Sequence, residues 1–198
     1  MLWPPAMRLC LAVLACVAFG CDKVDFIEIQ PADVEFQSRG ESKNLSARCM
    51  SRAGKRAERA MVSWTVKDPE IAEVSAKGVL KPKKSGNTEV IAAYEEVDAA
   101  IPVRVHFVEK LELATPSITI KEGAESVPIP LKFLGLNNKD LGKRGVTYSP
   151  RDKKVAAIVG GNAVLPLDPG KTTIDIQVDG ITTSLEVVVE EDKALKKK

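Results

Sequence analysis

Few side chains in this sequence could support acid–base or nucleophilic chemistry. His106 is the only histidine, and a catalytic base needs a nucleophile and an orienting acid, which its neighbours do not supply. It alternates with valines, so we expect it to face solvent near a domain boundary. Cys49 alternates with Leu45 and Ala47 and has no histidine beside it, which predicts a buried thiol rather than a nucleophile. The sequence therefore predicts a protein without enzymatic activity.

Three acidic residues could gather into a cation site. Asp68, Glu70 and Asp98 would have to meet at one end of a domain to bind Ca²⁺. Calcium sites use dense acidic loops, and here neighbouring lysines would compete with the cation. We therefore expect these carboxylates to cap turns. The sequence predicts no metal site and no other cofactor.

Cys21 is the residue best placed for covalent modification. Arg8 precedes an apolar run over 9–20, which has the charge pattern and length of a secretory signal and is too short to span a bilayer. The run ends in Ala18-Phe19-Gly20-Cys21, which resembles the lipobox of bacterial lipoproteins, where a small residue precedes a cysteine that is lipidated and becomes the new N-terminus. The resemblance implies a chain that is anchored to a membrane by lipid at Cys21.

Other readings of the N-terminus stay open. Cys16, which follows Val13-Leu14-Ala15, is the alternative lipidation site. An ordinary cleaved signal or an uncleaved anchor would also fit the apolar run. Translation could start at Met1 or at Met7.

A basic segment is the best candidate for a contact surface. Arg52, Lys55, Arg56 and Arg59 fall in a predicted loop between two strands, and loops on rigid scaffolds often carry binding functions. Such charge suits an anionic glycan, lipid head groups or an acidic protein. A plain solvated loop would have the same composition.

An internal repeat fixes the elements that must position these residues. Residues 24–105 align without a gap on residues 108–189, at a constant offset of 84 (108 minus 24), and 13 of the 82 pairs are identical. The apolar positions coincide along most of this length. Two copies of one domain in a row are therefore expected.

The apolar residues within each copy recur at every second position, as a half-buried strand requires. Ile27 and Ile29 match Leu111 and Leu113, and glycine-containing turns separate successive runs. Short strands at this spacing predict an all-β protein with two tandem antiparallel β-sandwiches of the immunoglobulin type.

The centre of the first copy carries a family resemblance. The segment 63–80 reads SWTVKDPEIAEVSAKGVL, and Gly86-Asn87-Thr88 follows it. This pattern resembles the bacterial immunoglobulin-like domain of group 2 (Big2), which implies that Trp64 packs in the core. The second copy departs from the pattern, with Tyr148 at the position of Trp64.

The junction between the copies contains no glycine, proline or serine from His106 to Lys110, so we expect a stiff connection and an end-to-end rod. The predicted boundaries are a signal peptide at 1–20, a lipidated N-terminus at 21–23, Big2-like domains at 24–107 and 108–191, and a disordered basic tail at 192–198.

The charge balance excludes one class of partner. Lys and Arg number 29 against 27 Asp and Glu, whereas a nucleic-acid surface needs a clear basic excess. The sequence thus favours a non-enzymatic lipoprotein of the bacterial cell envelope, serving as an adhesion, scaffold or spacer unit. The alternatives are an accessory subunit of an envelope complex and a glycan-binding module. The sequence is compatible with an anchor in the inner or the outer membrane, on the periplasmic or the surface side.

Overall fold

The computed structural model describes residues 23–193. The predicted signal peptide, both lipidation candidates (Cys21 and Cys16) and most of the predicted tail lie outside this range. The described chain is all-β, apart from one short 3₁₀ turn at Leu136–Asn138. Within residues 23–193, no helix has the length and apolar character needed to cross a membrane.

The first copy contains nine strands. They are β1 (Phe26–Gln30), β2 (Val34–Phe36), β3 (Lys43–Asn44), β4 (Ser46–Met50), β5 (Ser63–Val66), β6 (Ala72–Val74), β7 (Val79–Pro82), β8 (Gly86–Tyr94) and β9 (Val97–Val105). One sheet has the order β2-β9-β8-β5, and facing it lie β3-β7-β6 and the pair β1-β4.

The second copy repeats this arrangement. Its strands are β10 (Lys110–Leu113), β11 (Ser117–Lys121), β12 (Val127–Pro128), β13 (Leu131–Leu134), β14 (Thr147–Pro150), β15 (Ala156–Val159), β16 (Ala163–Pro166), β17 (Gly170–Val178) and β18 (Ile181–Glu190). Their sheets have the orders β11-β18-β17-β14, β12-β16-β15 and β10-β13. The predicted pair of immunoglobulin-like sandwiches is confirmed.

The structure adds one detail to the predicted topology. The sandwiches are not purely antiparallel, because β2 pairs with β9 in parallel and β11 does the same with β18. In each copy the first extended segment is split, so that its first part pairs with β4 or β13 and its second part moves to the other sheet. There it runs beside the last strand in the same direction.

Each sandwich encloses its own apolar core. The first is built around Phe36, Leu80, Val90 and Val103, and the second around Ile174, Ile176, Leu185 and Val187, all with no more than 1% of their surface exposed. Inward residues alternate with exposed ones along β1, β8 and β9, as the sequence pattern predicts.

Trp64 is less buried than the family resemblance implies. It packs against the first core but remains half-exposed, because β5 is the edge strand of its sheet. The ring lies beside Gly78, where an added Cβ would come within 3.3 Å of Trp64 Cε2. The indole therefore covers the side of the core rather than filling its centre.

Candidate functional site

The segment that joins the two sandwiches is buried on both sides of the boundary. Phe107 is 1% exposed and belongs to the first core. Val108 is fully buried in a small third cluster with Phe133 and Val178 of the second sandwich. Consecutive residues thus anchor in different domains, which leaves no solvated linker between them.

Backbone hydrogen bonds hold this segment along its length. The His106 amide donates to the Phe36 carbonyl at 2.9 Å, and the Glu109 amide donates to the Leu134 carbonyl at 2.8 Å. Between them, the Phe107 amide donates to Ser85 Oγ at 3.3 Å, and this hydroxyl donates to the Glu109 carboxylate. The connection is therefore bonded to both domains.

Arg39 links the domains from the side. Its backbone amide donates to the carboxylate of Asp179, and its guanidinium Nε lies 3.8 Å from Asp179 Oδ2. The same guanidinium is 3.4 Å from the Glu109 carboxylate and 4.6 Å from the centre of the Phe107 ring. One cation thus meets two carboxylates and an aromatic face at the junction.

Asp179 is positioned by the tight turn between β17 and β18, where it adopts a positive φ of 51° and Gly180 follows with φ of 83°. Its side chain is only 4% exposed. A carboxylate this buried requires hydrogen bonds or an opposite charge, and here it receives both from Arg39.

The sequence offered little sign of these contacts. Arg39, Ser85 and Glu109 align with Gly123, Pro169 and Lys193 of the second copy. The residue types differ at all three positions, so the repeat does not indicate that these residues form contacts. The one sequence feature that pointed to an ordered junction was the lack of glycine, proline and serine from His106 to Lys110.

His106 lies at this junction, as predicted, but it is half-buried rather than fully solvated. It lines a small cleft together with Leu136 and Asn137 of the 3₁₀ turn. The turn belongs to the second sandwich, and sequence alternation within one strand could not reveal that it shares a cleft with the histidine.

The three acidic residues that were considered as cation ligands do not all come together. Asp98 pairs with Ala93 of β8, which itself pairs with Ser63 at the start of β5. Asp68 follows the other end of β5, so the two carboxylates lie at opposite ends of this strand. The Asp68 carboxylate instead accepts a hydrogen bond from the Glu70 amide at 3.0 Å, which confirms its capping role. No group of three or more metal-ligating side chains occurs within the part of the chain that the structure describes.

The same turn contains a motif that the sequence analysis missed. The Asp68 amide donates to Thr88 Oγ1 at 3.0 Å, and the Asp152 amide donates to Thr172 Oγ1 at 2.9 Å. Both threonines are buried polar residues. The available signal was that both pairs are identical across the 84-residue offset.

The predicted basic loop runs between β4 and β5. Arg52, Lys55, Arg56 and Arg59 are all exposed, and the buried Ala57 holds the loop against the first core. The loop is further fixed by the Ala57 amide, which donates to the Cys49 carbonyl at 2.9 Å. The four cations therefore project from a fixed base.

Arg52 and Arg56 lie near carboxylates. Arg52 Nε lies 3.7 Å from Asp25 Oδ1, and its backbone amide donates to Asp25 Oδ2 at 2.9 Å. Arg56 Nε lies 3.7 Å from Glu58 Oε2. The Arg52 and Arg56 side chains are themselves exposed, and ion pairs this long at exposed arginines contribute little, so these two arginines stay available to a partner.

Cys49 is 3% exposed, which confirms the predicted core thiol. Burial raises the pKa of this thiol above its usual value, so the reactive thiolate is disfavoured. No nucleophilic role is supported at this position.

No protein-family model and no curated protein matches the chain. Among solved structures, it is similar to the S-layer protein SbsC at 16% identity and a TM-score of 0.39, over 84% of this chain and 28% of that one. Domains 4 and 5 of SbsC match at 16% identity with a TM-score of 0.38, over 84% and 98% of the two chains. Human protocadherin-24 EC1-2 matches at 11% identity with a TM-score of 0.34, over 86% and 100%. These likenesses concern the fold alone.

Proposed function

We propose that this protein is a non-enzymatic lipoprotein of the bacterial cell envelope, whose two sandwiches form a spacer or scaffold of fixed geometry. The observation that carries the proposal is the junction, where Arg39, Ser85, Glu109 and Asp179 join the domains by side-chain contacts. A flexible tether would not need such contacts.

The topology supports an end-to-end placement. The junction contacts of the first sandwich come from loops at the end where β9 leaves it, namely those carrying Arg39 and Ser85. Those of the second come from its opposite end, at the β17–β18 turn and the 136–138 turn. Two sandwiches joined in this way extend the distance between the N-terminus and the far loops, which is what a spacer provides.

Small-angle X-ray scattering on the full chain in detergent tests the spacer. A single elongated conformation with a well-defined maximum dimension is expected. Scattering that requires an ensemble of freely reorienting domains would refute it.

The anchor is tested separately by mass spectrometry and membrane fractionation of the wild type and of Cys21→Ser. We expect an acylated N-terminal peptide in the wild type and release of the variant from membranes. An unacylated wild-type product would disprove the anchor while leaving the spacer geometry unaffected. Proteolysis of intact cells, followed by pull-down of bound material, then separates a displayed adhesion unit from a periplasmic subunit.

A further inference from the structure

The basic loop lies where the chain enters the first sandwich. The Asp25 amide donates to the Met50 carbonyl at 2.8 Å, and the Asp25 carboxylate binds Arg52. Cys21 precedes Asp25 by four residues, which span at most about 14 Å even when fully extended. A lipid on Cys21 would therefore hold this loop close to the bilayer surface.

The loop carries four cations and a single carboxylate, Glu58, between Arg52 and Arg59. Glu95 and Glu96 are exposed at the same end of the sandwich, on the turn between β8 and β9. They belong to the sheet that contains β5, whereas the isolated bridge between Met50 and Arg56 holds the first part of the basic loop beside β4. Charge at this end is thus divided between two sides.

Apolar side chains accompany the cations on the β1-β4 side and at the base of the loop. Met61 is 87% exposed and Phe26 is 40% exposed, although each belongs to a residue type that is usually buried. Basic residues beside exposed apolar ones are typical of surfaces that rest at a membrane interface.

The junction contacts give no support for a second copy of the chain as the occupant of this end. The far end of the second sandwich has Gly123, Pro169 and Lys193 at the positions where Arg39, Ser85 and Glu109 form the junction. The residue types that form the junction contacts are therefore not repeated at this end of the second sandwich.

We propose that the loop from Arg52 to Arg59, with Met61, rests on the anionic head groups of the membrane that holds the lipid of Cys21. This inference depends on the lipid anchor of the proposed function. It gives the spacer a defined orientation, because one side of the first sandwich is held against the bilayer.

The test uses the lipidated full chain in phosphatidylcholine vesicles with or without phosphatidylglycerol. An environment-sensitive dye is attached to a cysteine introduced by Ala53→Cys in the loop, or by Glu125→Cys at the far end of the second sandwich. The fluorescence of the loop dye is expected to change when phosphatidylglycerol is present and to return to its starting value at high salt. The fluorescence of the dye at the far end should change in neither case. If the fluorescence of the loop dye changed neither with phosphatidylglycerol nor with salt, the proposal would be overturned.

A charge variant shows whether the loop itself makes the contact. Each cation near an anionic surface contributes a factor of about five, so K55Q/R56Q/R59Q should lower the ratio of bound to free orientations about a hundredfold. K153Q/K154Q/K171Q removes the same charge from exposed positions of the second sandwich and should change nothing. Equal effects of the two variants would contradict a specific contact.

The mass of the N-terminal peptide is measured on the same samples. An unmodified Cys21 would overturn both the anchor and this inference. An acylated Cys21 with an unresponsive loop dye would overturn only the inference.

Discussion

Arg39 and Asp179 are 140 residues apart in the sequence, yet the backbone amide and the guanidinium of Arg39 both meet the carboxylate of Asp179. One residue lies in the turn after β2 of the first sandwich, and the other lies in the last tight turn of the second. This pair, together with the contact between Ser85 and Glu109, forms an interface between the two sandwiches beside the connecting segment. The relative orientation of the domains therefore depends on a few named side chains.

Arg39→Ala should loosen the junction. It leaves the buried Asp179 carboxylate with a backbone donor but no cation, at a cost of about 1 kcal/mol, since Arg39 is itself half-exposed. Scattering should show a broader distribution of interdomain distances. Arg104→Ala is the matched control, because it breaks an ion pair of 2.7 Å with Asp33 inside the first sandwich. Equal behaviour of the two variants would show that Arg39 does not hold the domains.

Thr88→Val should destabilise the first sandwich by about 1–2 kcal/mol, because the Asp68 amide loses its buried acceptor. Thr172→Val should do the same in the second sandwich, and Thr88→Ser should cost little because it keeps the hydroxyl. Denaturant unfolding measures all three. The two valine effects should add, since the sites lie in separate cores. A Ser variant as unstable as the Val variant would point to lost packing instead.

Gly86→Ala should destabilise the chain more than Gly142→Ala does. Gly86 has φ of +154°, and an added Cβ would lie 2.8 Å from Ile71 Cδ1, whereas Gly142 has open space around it. Crowding of this kind costs about 1–3 kcal/mol. The double variant I71V/G86A should recover part of the loss, because it removes the crowded methyl group. Thermal unfolding of the wild type, G86A, G142A and I71V/G86A measures these differences. If I71V/G86A were no more stable than G86A, the steric explanation would be excluded.

The Cys49 thiol should resist modification in the folded protein. Burial raises the pKa of Cys49 above its ordinary value of 9.0, so the neutral thiol is favoured in the folded state. Labelling by a disulfide reagent should be at least roughly a hundredfold slower than in denaturant. Because the folded pKa is the higher one, this contribution to stability is complete below pH 9 and declines as the pH rises further. Rapid labelling of the native chain would contradict burial.

The Arg151–Asp175 pair should give a small acid-dependent contribution to stability. Two hydrogen bonds of 2.9 Å from Arg151 lower the pKa of Asp175 below its ordinary value of 3.8. A depressed carboxyl pKa stabilises the fold above that value, and the contribution is lost as the pH falls through the folded pKa. Wild type should melt slightly above Asp175→Asn near neutral pH, and the two should converge in acid. Asp33→Asn removes a single contact and should give a smaller difference.

The sequence by itself determined the positions of the strands. Alternation of apolar residues is a local property, and the 84-residue offset carried each assignment from one copy to the other. The strands β8 and β17 begin at Gly86 and Gly170, and β9 and β18 begin at Val97 and Ile181, each pair separated by that offset. The buried Cys49 and the capping Asp68 followed from the same local patterns.

Only the tertiary structure decided how the elements meet. The parallel pairing of β2 with β9 depends on where the first segment crosses between sheets, and alternation reads the same in either direction. The partial burial of His106 and the contact of Arg39 with Asp179 arise between domains. A repeat aligns each domain with the other, but it contains no information about the ends by which they touch, because Arg39, Ser85 and Glu109 align with residues of other types in the second copy. Contacts that join loops distant in sequence are set by the folded arrangement of both sandwiches.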